Sequence, residues 1–134
     1  MTAKAWYWGH ARAGPYSLVW FTATDNDGKL HTSAYASSGG KVITATCSPN
    51  TLKVEPFTNP GGVGSIDQPE GLPDGFDVAV QIPGKGTLSM KVSNKAITQW
   101  LPGIAGRWMG EVKAGFKGKT QWTGSAFYEA FTFN

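Results

Sequence analysis

The stretch Phe76-Asp-Val-Ala-Val-Gln-Ile-Pro-Gly-Lys-Gly-Thr-Leu-Ser-Met-Lys-Val-Ser93 decides the fold class. Phe76, Val78, Val80 and Ile82 alternate with Asp77, Ala79 and Gln81. Pro83 to Gly86 then supplies a turn. Beyond it, Leu88, Met90 and Val92 alternate with Thr87, Ser89, Lys91 and Ser93. A period of two sends successive side chains to opposite faces of a strand, so these residues make a hairpin with one dry and one wet face.

The same period extends in both directions. Towards the amino terminus, Lys4 to His10, Pro15 to Thr24, Leu30 to Ser37, Lys41 to Thr46 and Thr51 to Phe57 read as strands. Asp25-Asn-Asp-Gly28 and Ser38-Gly-Gly40 are the turns between them, because Asn, Asp and Gly tolerate positive φ. Asn59 to Gly75 holds Pro60, Gly61, Gly62, Gly64, Pro69, Gly71 and Pro73 and reads as loop. Towards the carboxyl terminus, Gly106 to Ala114 and Lys119 to Phe133 form a last hairpin around Gly115-Phe-Lys-Gly118. Asn94 to Trp100 fits either a turn of helix or another short strand. Eight or nine strands joined by short turns predict an antiparallel, up-and-down β-barrel, the simplest arrangement that leaves no exposed edge.

At 134 residues the chain is expected to form a single domain, 1–134, that buries about two-thirds of its unfolded surface. Eighteen glycines are nearly double the usual share, while charged residues fall to 16% and aromatics reach 13%. One cysteine, Cys47, excludes an internal disulfide framework and a multi-cysteine metal site. No apolar run is long enough to span a membrane as a helix. The amino terminus shows no apolar signal core, which favours a cytoplasmic location. Lys29, Lys41, Lys85, Lys117 and Lys119 stand singly beside glycines, not in the clustered stripe that a nucleic-acid surface needs. Nucleic acid and membrane are therefore not expected partners.

Two strands break the one-wet-face rule. Tyr16, Leu18 and Trp20 share one face of their strand while Val19 and Phe21 occupy the other. Trp122, Ala126 and Tyr128 likewise oppose Phe127, Phe131 and Phe133. Both faces call for burial, so the outer surface is expected to be covered by a second domain, another copy or the long loop. The indole-rich set Trp6, Trp8, Tyr16, Trp20, Trp100, Trp108 and Trp122 suits either a packed core or the wall of a cavity for a flat ligand. No Gly-x-Ser-x-Gly elbow is present, and two histidines, His10 and His31, give no ligand spacing, so neither hydrolysis nor metal binding is expected. The Gly61–Gly64 segment lacks a phosphate-loop ending and reads as lid or linker. His10 shares parity with Trp6 and Trp8, which offers it a cavity mouth or a structural bond. Glu129, among large apolar residues, pairs with a cation such as Arg107 or Lys113, or acts as an acid.

The run Tyr7-Trp-Gly-His-Ala-Arg-Ala-Gly-Pro-Tyr-Ser-Leu-Val-Trp-Phe21 resembles the opening of the carboxy-terminal barrel of fungal lipocalin-like Diels–Alderases. That pericyclase superfamily is related to carotenoid hydratases of the hydroxyneurosporene synthase type. Gly106-Arg-Trp-Met-Gly-Glu-Val112 and Thr123-Gly-Ser-Ala-Phe-Tyr-Glu-Ala-Phe131 resemble how such domains close. The resemblance implies a lipocalin-like barrel, matching the second of two β domains, that folds an apolar polyketide or terpenoid polyene for [4+2] cycloaddition without cofactor or metal. It implies shaping by Trp8, Tyr16, Trp20, Trp100, Trp108 and Trp122. Lys113 or Arg107 would polarise a carbonyl, with Tyr128 or His10 as substitute donors. Two other readings stand beside it: a non-catalytic lipocalin-like carrier, and a polyene hydratase or isomerase using Glu129 or His10 as acid.

Overall fold

The computed structural model of the protein describes residues 3–58, 72–102 and 104–132. Its strands are β1 (Ala3–Ala13), β2 (Tyr16–Asp25), β3 (Leu30–Ser38), β4 (Lys41–Thr46), β5 (Leu52–Phe57), β6 (Gly75–Ile82), β7 (Gly86–Leu101), β8 (Ala105–Phe116) and β9 (Trp122–Thr132). They form one curled, lipocalin-like antiparallel sheet in the order β4-β3-β2-β1-β9-β8-β7-β6-β5. The meander closes where the first strand meets the last, with His10 opposite Phe127 and Trp8 opposite Glu129. Among the described residues no ladder joins β4 to β5, so the expected edge-free barrel is a half-barrel with two edges. Pro56 lies on one of these edges, where a residue without an amide hydrogen is tolerated. Lys41 and Lys53, both exposed, lie on the two edge strands and discourage further pairing.

Asn94 to Trp100 is strand, not helix. It continues β7 against β8, with register shifts between Asn94 and Ala96 and between Ile97 and Gln99. The expected loop from Asn59 lies outside the described residues as far as Gly71, as do the Gly61–Gly64 segment and Phe133. Asp74 N donates to Phe57 O at 2.8 Å and Asn94 N to Asp74 O at 3.0 Å, so the segment entering β6 is stitched to both neighbours.

The concave side holds the core. Leu18, Leu88, Val92 and Val112 are fully buried, each contributing about 1.5–3 kcal/mol by leaving water. Rings fill the middle. Trp108 stacks on Tyr128 with centroids 5.7 Å apart, and Phe76 meets both edge-on. At one end Tyr16, Phe116 and Trp122 form a second ring cluster. These large rings need small residues beside them. A Cβ on Gly9 would meet the Trp20 ring at 2.2 Å, and one on Gly110 the Tyr128 hydroxyl at 2.4 Å. One polar thread crosses this core: Tyr128 Oη donates to Asn94 Oδ1 at 2.7 Å, and Asn94 Nδ2 donates to Pro73 O at 2.8 Å. Burial pushes the Tyr128 phenol well above its ordinary pKa, so it keeps its proton. Trp20 Nε1 finds no partner among the described residues.

At the β2–β3 turn, Asp25 Oδ1 accepts from the amides of Asp27 and Lys29, and Oδ2 meets His31 Nε2 at 3.0 Å. The His31 hydrogen bond, followed by the bond from Lys29, lowers the Asp25 pKa.

Two outcomes test this construction. Gly9→Ala is expected to destabilise by about 1–3 kcal/mol in urea denaturation, and to cost less when Trp20→Leu has already vacated the space. Because the Asp25 carboxyl is held below its ordinary value, the turn's stability is present above that value and lost as pH falls through the lowered one. Amide exchange at Lys29 should therefore quicken, relative to the intrinsic rate, on acidification. Asp25→Asn should abolish that dependence.

Candidate functional site

The concave side is solid through its middle and hollow at one end. There β5, β7, β8 and β9 run out beside Tyr7 of β1 and leave a cleft of about 630 Å³, within the range that holds a drug-sized ligand. Its walls are Phe57 and Leu72 on one side, Trp100, Leu101 and Ile104 at the lip, and Ala105, Gly106 and Ala130 along the sheet. Gly106 and Ala130 are register partners, so the sheet surface there is nearly bare of side chain. The floor is made by rings: Tyr7 packs on Phe76 with centroids 5.2 Å apart, and Trp108 spreads over Gly106, where an added Cβ would come within 2.6 Å. Pro56, Thr58, Pro73, Pro102 and Thr132 complete the lining. No lysine, arginine, histidine, aspartate or glutamate is among these residues. Trp100, Leu101 and Ile104 are exposed at the lip.

Strand parity sorts the residues expected to build the site. Trp100 lines the cleft. Trp108 and Tyr128 lie beneath it in the sealed core, with the Tyr128 hydroxyl committed to Asn94. Trp20 is buried against Gly9, while Tyr16 and Trp122 pack on Phe116 in the opposite end of the core. Trp8, His10, Arg107 and Lys113 project from the convex side. His10 is exposed and bonds Ser17 Oγ at 3.0 Å, the structural role rather than a cavity mouth. Lys113 is exposed and edges a separate, charged groove with Lys53, Asp77 and Lys91. Arg107 Nε donates to Glu129 Oε1, and Trp8 Nε1 donates to Glu129 Oε2 at 3.0 Å. Glu129 is thus paired with Arg107 and is 5% exposed although it faces outward, being roofed by its own partners.

Tyr7 escaped the sequence reading. Its signal was parity: it shares a face with Gly9, Ala11 and Ala13, all buried, and such small residues mark the concave side of a tightly curled strand. The large neighbours Trp6 and Trp8 drew attention to the convex side instead. Trp6 packs there on Phe131 and Phe21, with centroids 5.0 and 6.2 Å away, so the outer rings partly cover one another. Beside them, Tyr35, Val19, His10, Phe127 and Met109 form one transverse row across five strands. Val19, Tyr35 and Met109 remain exposed.

Comparison with known proteins identifies the relatives. No protein-family model matches the chain. Over 98% of its length it is 30% identical to quinolone epoxide rearrangement protein penF of Penicillium thymicola, and equally to quinolone epoxide rearrangement protein asqO of Emericella nidulans. The chain is thus related in sequence to fungal quinolone epoxide rearrangement proteins. It spans 36% of the length of the two curated relatives. Solved structures share the chain's lipocalin-like fold. CghA, crystallised with Sch210972, matches 99% of this chain and 42% of its own with a TM-score of 0.76 at 14% identity. Kievitone hydratase from Nectria haematococca matches 97% of this chain and 40% of its own with a TM-score of 0.58 at 12% identity. Among the described residues no helix is long and apolar enough to cross a membrane.

The Glu129 arrangement is structural and its cost is measurable. Arg107→Ala is expected to destabilise by about 1–3 kcal/mol in urea denaturation, less than for a fully buried pair because the guanidinium side chain is 41% exposed. Ligand affinity of the cleft should not change, since Arg107 does not line it.

Proposed function

We propose that the chain is the lipocalin-like domain of an isomerase-type natural-product enzyme, which takes a largely apolar ring-bearing intermediate into the end cleft and holds it for rearrangement. The observation that carries this reading is a ligand-sized cleft with no charged side chain among the described residues that line it. A lining of this kind supports neither hydrolysis nor recognition of an ionic substrate. It suits chemistry in which atoms are redistributed within one molecule and the protein's contribution is orientation, which can supply several kcal/mol. The relatives' own names, which specify rearrangement of quinolone epoxides, point the same way.

A [4+2] cycloaddition of a folded polyene is the narrower form of this reading, since a shaped apolar cleft serves it equally. A polyene hydratase that uses Glu129 or His10 is disfavoured, because both lie on the convex side. A carrier without catalysis is the second reading, favoured by the outward placement of Lys113, Arg107 and His10. The exposed row on the convex side, with the chain's partial coverage of its relatives, supports a second β domain as its cover. In this reading the chain takes the carboxy-terminal place.

Incubation of the chain with a quinolone epoxide tests the proposal. Quenching of Trp100 fluorescence with accelerated loss of the epoxide is the expected result. Binding with only the uncatalysed rate supports the carrier, and selective cyclisation of a triene substrate supports the cycloaddition. Leu101→Glu with Ile104→Glu, both at the exposed lip, should weaken binding at least tenfold without changing the melting temperature. Unchanged binding in that variant would remove the cleft from the account.

A further inference from the structure

Among the described residues that line the cleft, Tyr7 brings the phenol. Tyr7 is half-buried on the wall, between Thr22 of β2 and Ala130 of β9 in the register, and its ring is fixed against Phe76. Among the described residues its hydroxyl has no hydrogen-bond partner. The other lining hydroxyls, those of Thr58 and Thr132, belong to exposed residues at the rim and are not carried on a packed ring. The tyrosine deeper in the core is different again, since Tyr128 is committed to Asn94. A phenol set in an apolar wall is a donor held at fixed position, and an acceptor brought by a ligand completes it.

We infer that Tyr7 donates a hydrogen bond to an oxygen of the bound ligand, so that the cleft selects apolar molecules carrying one carbonyl or epoxide oxygen over hydrocarbons of the same shape. The inference rests on the cleft being the ligand site. It adds a polar specificity element where the lining otherwise offers only shape. An uncharged donor suits an uncharged acceptor. A carboxylate or phosphate would find no cation in the lining to offset its desolvation. Donation to a carbonyl or epoxide oxygen also draws electron density from the adjoining carbon, the polarisation that the outward-facing Lys113 and Arg107 are not placed to provide. The donor is on a strand, at the closure between β1 and β9, with its ring packed, and such placement holds a group more firmly than a loop does.

Two probes of the same shape separate this role from packing: a propionyl-dimethylaminonaphthalene ketone, whose emission shifts to the red when its carbonyl accepts a hydrogen bond, and the propyl analogue without the carbonyl. Titrated into the wild-type chain, the ketone should bind more tightly than the hydrocarbon. Tyr7→Phe keeps the ring and should weaken ketone binding about three- to tenfold, the loss of one net hydrogen bond. It should also shift the bound emission to the blue and leave hydrocarbon affinity within about twofold. Equal weakening of both probes would overturn the inference by assigning Tyr7 a packing role, and so would no effect on either. Failure of both probes to bind the wild-type chain would overturn the cleft reading itself, and the inference with it. A Tyr7→Phe melting curve that overlays the wild type separates all of these from misfolding.

Discussion

Large rings packed against glycines of the strands and turns beside them are the constraint on which the rest of the structure depends. Trp20 covers Gly9, Trp108 covers Gly106, Tyr128 lies against Gly110, and Trp122 covers Gly14. In each case a single added carbon would overlap the ring at well under van der Waals distance. The arrangement lets a strongly curled sheet fill its own concave side with indole and phenol and few long aliphatic chains. It also fits a composition rich in both glycine and aromatics, since these rings each require a gap beside them.

The same packing sets the boundary of the cleft. Trp108 reaches across Gly106 and, with Phe76 and Tyr128, makes a floor through which the hollow does not continue. Above that floor, Gly106 and Ala130 contribute almost no side chain, so the space between the strand ends stays open. The polar thread from Tyr128 through Asn94 to Pro73 anchors the segment that forms one wall. The apolar side chains around it make that thread costly to break, because each member would be left unpaired away from water. Rigidity of the floor and wall is what allows an apolar site to orient a ligand at all.

On the convex side, aromatic residues do a different job. Trp6, Phe21 and Phe131 shield one another, and Trp8 with Arg107 roofs the Glu129 carboxylate. A buried acid on an outward-facing position is thereby satisfied without a second layer of protein. The transverse row from Tyr35 to Met109 is not shielded in this way. Two apolar faces on the strands near both termini therefore have two explanations, ring packing inside and mutual cover outside, and only part of the outer face is left for a neighbour.

Alternation along Phe76–Ser93 and its repeats was enough to indicate eight or nine antiparallel strands, the meander order and the sharing of faces, because the two-residue period is a property of the backbone itself; the structure has nine. It also pointed to Glu129 as either paired with Arg107 or Lys113 or acting as an acid, and the structure supplies Arg107 as the partner. Alternation cannot say which face is concave. Trp8 and His10 have the opposite parity to Tyr7 along β1, and that parity separates the convex surface from the wall of the cleft. Curvature decides it: the inner face of a tightly bent sheet has less room, so it takes Gly9, Ala11 and Ala13 and leaves the bulky Trp6 and Trp8 outside. Where the hollow falls, which ring lines it and where the sheet stays open depend on how rings from distant strands meet. Those meetings exist only once the sheet has curled.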